Sequence, residues 1–131
     1  MSMQIIAATD IDDAFEKVST MPEEEAKNYV VDEFDGIGDF LYDIRNELVN
    51  YDIYYRFDPY RETVLEASLV CKIKTFSESI LQWIAENSAK ESTIIQKYGI
   101  CLKKIKVFAM GLNDICDIAI KNNYDLIGFG D

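Results

Sequence analysis

A chain of 131 residues, 49% apolar and 12% aromatic, carries enough apolar surface to close one hydrophobic core, which excludes a disordered segment. No apolar run approaches the length of a membrane span, and the start "MSMQIIAATD" lacks the basic and apolar regions of a secretory signal, so a cytoplasmic protein is expected. The net charge of -11 is unevenly spread: residues 10–43 hold 12 acids and 2 bases, whereas residues 44–131 hold 12 acids and 11 bases. That field repels nucleic acid and attracts a basic protein surface.

In chain order, "MQIIAA" reads as a short edge strand or an extended arm. Asp10 or Asp12 can cap a helix to about residue 20, with Ile11, Ala14, Phe15 and Val18 on one face. Thr20, Pro22 and three glutamates at 23–25 read as a second helix start. From there Ala26, Val30, Phe34, Ile37, Leu41, Ile44 and Leu48 recur at spacings of 3 and 4, a helical stripe. Gly36 and Gly38 either bend this helix or divide it. Asp32, Asp35, Asp39 and Asp43 recur at spacings of 3, 4 and 4 on the other side. Like charges at that spacing destabilise a helix. The row is therefore expected to face something outside the protein.

Asp58 and Pro59 mark a turn. A helix is expected over about 60–88 from Leu65, Leu69, Ile73, Phe76 and Ile80, although "VLEASLVCKIKTF" alone also fits a strand. A loop and a short helix follow, stopped at Gly99, and a last long helix runs from Leu102 to about 121. "YDLIGFGD" is a short apolar tail that can pair with "MQIIAA". The expected fold is mainly α: a single domain over 1–131, a bundle of four to five helices with a small two-stranded element from the termini.

Catalytic chemistry has little to work with. The chain has no histidine, which removes the commonest general base and any Ser-His or Cys-His pair. Its three cysteines, Cys71, Cys101 and Cys116, form no zinc spacing and fall on apolar registers, as buried free thiols do. "DEFDGIGD" misplaces the acids and glycine of a calcium loop, and neither "GIG" nor "GFG" completes a phosphate-binding loop. The lysines of "KKIK" at 103–106 are too few to bind nucleic acid against the overall charge. The expectation is a non-enzyme without metal or cofactor.

"YDIYYRFDPYRE" at 51–62 places four tyrosines and two arginines beside three acids at a helix break. Tyrosine and arginine are the residues that anchor protein interfaces. "YDIYYRFDP" resembles the D-x-I-Y-Y-P stretch of the immunity proteins that neutralise DNase colicins. Those are small, acidic, all-helical proteins whose paired tyrosines and nearby acidic helix bind the toxin. The resemblance carries Asp52, Tyr54 and Tyr55; the proline here stands four residues after Tyr55, and the chain is longer.

The reading that results is an immunity protein, like those of colicin or contact-dependent inhibition systems. It binds a basic nuclease toxin, as monomer or homodimer. Asp32, Asp35, Asp39 and Asp43 steer the partner; Tyr51, Tyr54 and Tyr55 anchor it, with Asp52 and Asp58 adding contacts. Tyr54 and Tyr55 are expected to be removable together with the fold near intact. A helical adaptor or regulatory protein, and a DNA-mimicking inhibitor of a defence enzyme, are the alternatives.

Overall fold

The computed structural model describes residues 3–130. They form four strands, β1 (Met3–Ala8), β2 (Val30–Glu33), β3 (Glu62–Leu65) and β4 (Asp125–Phe129), joined in one antiparallel sheet of order β2-β1-β4-β3. Seven α-helices accompany the sheet: α1 (Ile11–Ser19), α2 (Glu23–Ala26), α3 (Ile37–Asp43), α4 (Tyr51–Tyr54), α5 (Val70–Glu86), α6 (Glu91–Tyr98) and α7 (Leu102–Asn122). The bundle expectation is therefore corrected. The protein is mainly helical, but its helices are organised by a sheet.

The sheet is covered on both faces. Side chains alternate along a strand, so Ile5 and Ala7 of β1 face one way and Ile6 and Ala8 the other. On the first face lie α5 and α7, which supply Ile73, Phe76, Ile80, Ile105, Phe108 and Leu112 to the main core. Each such side chain contributes about 1.5–3 kcal/mol by leaving water. On the second face Ile6, Ala8 and Ile127 meet Ala14 of α1. Double coverage explains why "IIAA" is apolar without alternation: β1 is a central strand, not an edge. Its partners are β2 (Ile5 opposite Val31) and β4 (Ile6 opposite Ile127). The pairing of the two terminal stretches is thus the middle of the sheet rather than an appendage; Asp131, the last residue of "YDLIGFGD", lies outside the described residues.

Several helices lie where their sequence signals put them. Asp10 caps α1 by accepting the N–H of Asp13 at 2.8 Å. Gly99 closes α6 at φ +72°, and Asn123 closes α7 at φ +56°. The stretch 23–48, expected as a helix bent or divided at Gly36 and Gly38, is not helical throughout. Its apolar period is shared among α2, β2 and α3, and Gly36 between the last two has φ +93°, a left-handed backbone that no α-helix contains. The helix expected from about 60 begins at Val70, because Glu62–Leu65 pairs with β4 instead. There Leu65 is buried and Val64 exposed, the two-residue period of a strand. Of the cysteines, Cys116 is buried, Cys101 half-buried and Cys71 exposed, so the thiols are free but only one is a core residue.

The helix α1 is fastened to the sheet by a buried lysine. Lys17 donates to Asp13 at 2.6 Å and lies 5.2 Å from the ring centroids of both Tyr29 and Tyr124. Burial pushes the Asp13 carboxyl up, but hydrogen bonds from Lys17 and Thr9 outweigh it and hold the group below its ordinary value. Lys17→Ala is expected to cost about 1–3 kcal/mol, from the lost cation–π contacts and the carboxylate left without its partner. Urea denaturation of the variant measures it. Among the described residues no helix is long and apolar enough to cross a membrane.

Candidate functional site

A cavity of about 490 Å³ opens where the end of β2, the helix α3 and the tyrosine segment meet. The segment 33–42 brings three acids to it, Glu33, Asp35 and Asp39, and the rings of Phe34 and Tyr42. The segment 51–60 brings Tyr51, Tyr54, Tyr55, Phe57 and Tyr60. The rings form a connected group: Tyr51 and Tyr55 lie 5.7 Å apart between centroids, and Tyr42 lies 6.4 Å from Tyr55. Phe34, Tyr55 and Tyr60 are exposed at the rim, at 56%, 62% and 67%.

The floor is a tyrosine–glutamate pair. Tyr54 is 4% exposed, stacked on Phe76 at 4.6 Å and edge-on to Phe57 and Phe108. Its hydroxyl donates to Glu33 Oε2. Burial raises the Glu33 carboxyl above its ordinary value; the Tyr54 hydrogen bond opposes this, and the like charge of Asp39 adds to it. Tyr51, half-buried beside them, is pushed up to about 12, first by burial and then by the neighbouring Tyr55. Gly38 makes the arrangement possible, because a Cβ added there would stand 2.7 Å from Glu33 Oε1.

The aspartates that looked like one row do not stay together. Asp35 and Asp39 line the cavity. Asp32 is a β2 residue opposite Gln4, so strand alternation turns it to the sheet face away from Glu33. Asp43, at the end of α3, accepts from the hydroxyl of Tyr98 and pairs with Lys97 at 3.3 Å, and these contacts hold its carboxyl below the ordinary value. It faces α6. Of the tyrosine-segment residues, Tyr51, Tyr54 and Tyr55 line the cavity, but Tyr54 belongs to the core rather than protruding as an anchor. Asp52 lies in an adjoining recess with Arg45, whose guanidinium rests 3.9 Å from the Tyr42 ring centroid. Asp58 holds its own turn, accepting the N–H of Tyr60 at 2.8 Å and pairing with Arg61 at 3.1 Å. Glu33 and Tyr42 complete the site without having been singled out from the sequence. Glu33 escaped because "VVDE" read as helix put the neighbouring Asp32 on the functional side; read as a strand, the assignment moves by one residue.

Compared with protein-family models, curated proteins and solved structures, the chain has no significant match. Among the described residues no three His, Cys, Asp or Glu side chains are grouped to hold a metal ion.

The raised Glu33 carboxyl predicts a pH dependence of stability. A group that binds its proton more tightly when folded favours folding at low pH, and that contribution disappears as pH rises through the folded-state value. Wild-type stability should therefore fall relative to Glu33→Gln as pH rises from about 4.5, the ordinary glutamate value, through the raised value. Glutamine keeps an acceptor for Tyr54 and carries no charge to bury. Denaturation midpoints of both proteins between pH 4.5 and 7.5 test this; parallel curves refute it.

Proposed function

We propose that the protein acts by binding rather than by chemistry, as a cytoplasmic inhibitor of the immunity type whose partner is a basic nuclease toxin. The observation that carries the reading is convergence. Two segments, 33–42 and 51–60, place three carboxylates and a group of tyrosines around one opening. The surrounding excess of acid steers a cationic surface towards the opening, and the exposed rings Tyr55 and Tyr60 supply contact area at small entropic cost. The alternative of a DNA mimic loses its support, because the aspartate row it needed is divided among a strand, a turn and a helix.

The test is capture from the native host with the tagged protein, at about 50 mM and about 500 mM salt, a range over which exposed charge contacts are screened. A basic nuclease that is recovered better at low salt, and whose activity is titrated away at one-to-one stoichiometry, supports the proposal. Capture of only a neutral protein, indifferent to salt, overturns it. That outcome favours the adaptor reading, for which Val107 and Met110 offer an apolar strip, 60% and 48% exposed and one turn apart on α7.

A further inference from the structure

We infer that the cavity is a seat for one guanidinium, an arginine side chain that the partner inserts between the tyrosine rings and against Glu33 and Asp39. The inference rests on the reading that a basic protein docks on this face, and it names the group that enters.

Three observations fix the chemistry of the occupant. The first is the sign. Acids line the cavity and, among the described residues, no lysine or arginine does. Glu33 feels Asp39 as a like charge, and no ion pair within the described residues relieves it. A cation entering here replaces a repulsion with two attractions; a phosphate would add to the repulsion. The second is the walls. Tyr42, Tyr51 and Tyr55 present aromatic surface, whose electron-rich faces attract cations. A metal ion would instead require grouped oxygen donors, and the acids here are not so grouped. An organic cation fits both conditions. The third separates guanidinium from ammonium. Guanidinium is planar, stacks on rings and forks onto carboxylates, which a compact ammonium does not. The tyrosine group already accepts one, Arg45 on Tyr42 at 3.9 Å. The volume of about 490 Å³ falls in the range of small-ligand sites, ample for one long side chain.

The experiment is an NMR titration of the intact protein with the blocked tripeptides Gly-Arg-Gly, Gly-Lys-Gly and Gly-citrulline-Gly. Citrulline has the shape of arginine without its charge. The arginine peptide is expected to shift the ring resonances of Tyr42, Tyr51 and Tyr55 with roughly millimolar affinity. The lysine peptide should bind several-fold more weakly and the citrulline peptide not measurably. Glu33→Gln should weaken the arginine peptide at least several-fold while its amide spectrum elsewhere stays that of the wild type. Equal binding of arginine and citrulline peptides, no shift with any peptide, or undiminished binding by Glu33→Gln overturns the inference. So does tighter binding of spermidine than of the arginine peptide, which would assign the seat to a free polyamine. The two readings fail separately. If the arginine peptide binds but no nuclease is captured, the toxin assignment falls and the seat remains. If a nuclease is captured equally by wild type and Glu33→Gln, the seat falls and the toxin assignment remains.

Discussion

Tyr54→Ala should lower the stability of the protein by about 3–5 kcal/mol, whereas Tyr55→Ala, at the next position, should change it by less than about 0.5 kcal/mol. The two tyrosines are adjacent in sequence and opposite in environment: Tyr54 is 4% exposed and Tyr55 62%. Removing Tyr54 empties the space against Phe76, Phe57 and Phe108 and leaves Glu33 Oε2 without its donor. Removing Tyr55 takes away rim surface only. The order of effects on partner binding is informative for this reason. Tyr55→Ala, which folds, should lose more than about 1 kcal/mol of binding if the rim is an anchor. A loss on Tyr54→Ala reports unfolding first. Tyr54→Phe separates the ring from the hydroxyl, since it keeps the packing. Thermal denaturation of the three variants, read beside a binding titration of the two that fold, checks the whole set. Equal stability of Tyr54→Ala and Tyr55→Ala would contradict the described core.

The second large effect is expected at Gly36. Its φ of +93° costs any other residue strain, and an added Cβ would stand 2.7 Å from the backbone carbonyl oxygen of Tyr98. Backbone atoms cannot turn aside as a side chain does. Gly36→Ala should therefore cost about 2–4 kcal/mol, combining left-handed strain with displacement of α6 from α3. Gly99 is the comparison: its φ is +72° but nothing stands within 4 Å of a Cβ there, so Gly99→Ala should cost only about 1 kcal/mol. Urea midpoints of the two variants measure the difference, which isolates the price of contact from the price of conformation.

These two glycines also show which parts of the fold could be read in the residues. Where a helix is long and ends in its own punctuation, the sequence was sufficient: α7 carries an uninterrupted 3–4 period and ends at Asn123, and α6 ends at Gly99. The stretch 26–48 misled because its apolar residues kept helical spacing while serving three elements in turn. Only four residues of it form β2, too few for a two-residue period to outweigh the longer one. What decides the matter is tertiary: hydrogen bonding of Val30–Glu33 to β1, which no local pattern announces. The same holds for β3, whose four residues became a strand because β4 lay open beside them. At the site, the concentration of acid and of tyrosine was legible from composition along the chain. Which acid faces inward was not, since it depends on strand or helix phase. Asp32 and Glu33 exchanged roles on that one distinction.

The central pairing of β1 with β4 has a consequence for how the chain is made. Ile6 is opposite Ile127, so the middle of the sheet joins residues from the two extremes of the described chain. A ribosome releases β1 first and must synthesise every helix before β4 exists. Until then β1, with Ile5 and Ile6 wholly buried in the finished protein, has one sheet edge without its partner, and the main core lacks Leu126. Non-local closure of this kind slows folding and exposes strand edges to neighbouring chains. Nascent protein of this sequence is thus at its most vulnerable just before β4 emerges, and joining residue 131 to residue 1 in a circular permutant, with the new termini in the α5–α6 connection, would let the central pair form as a local hairpin instead.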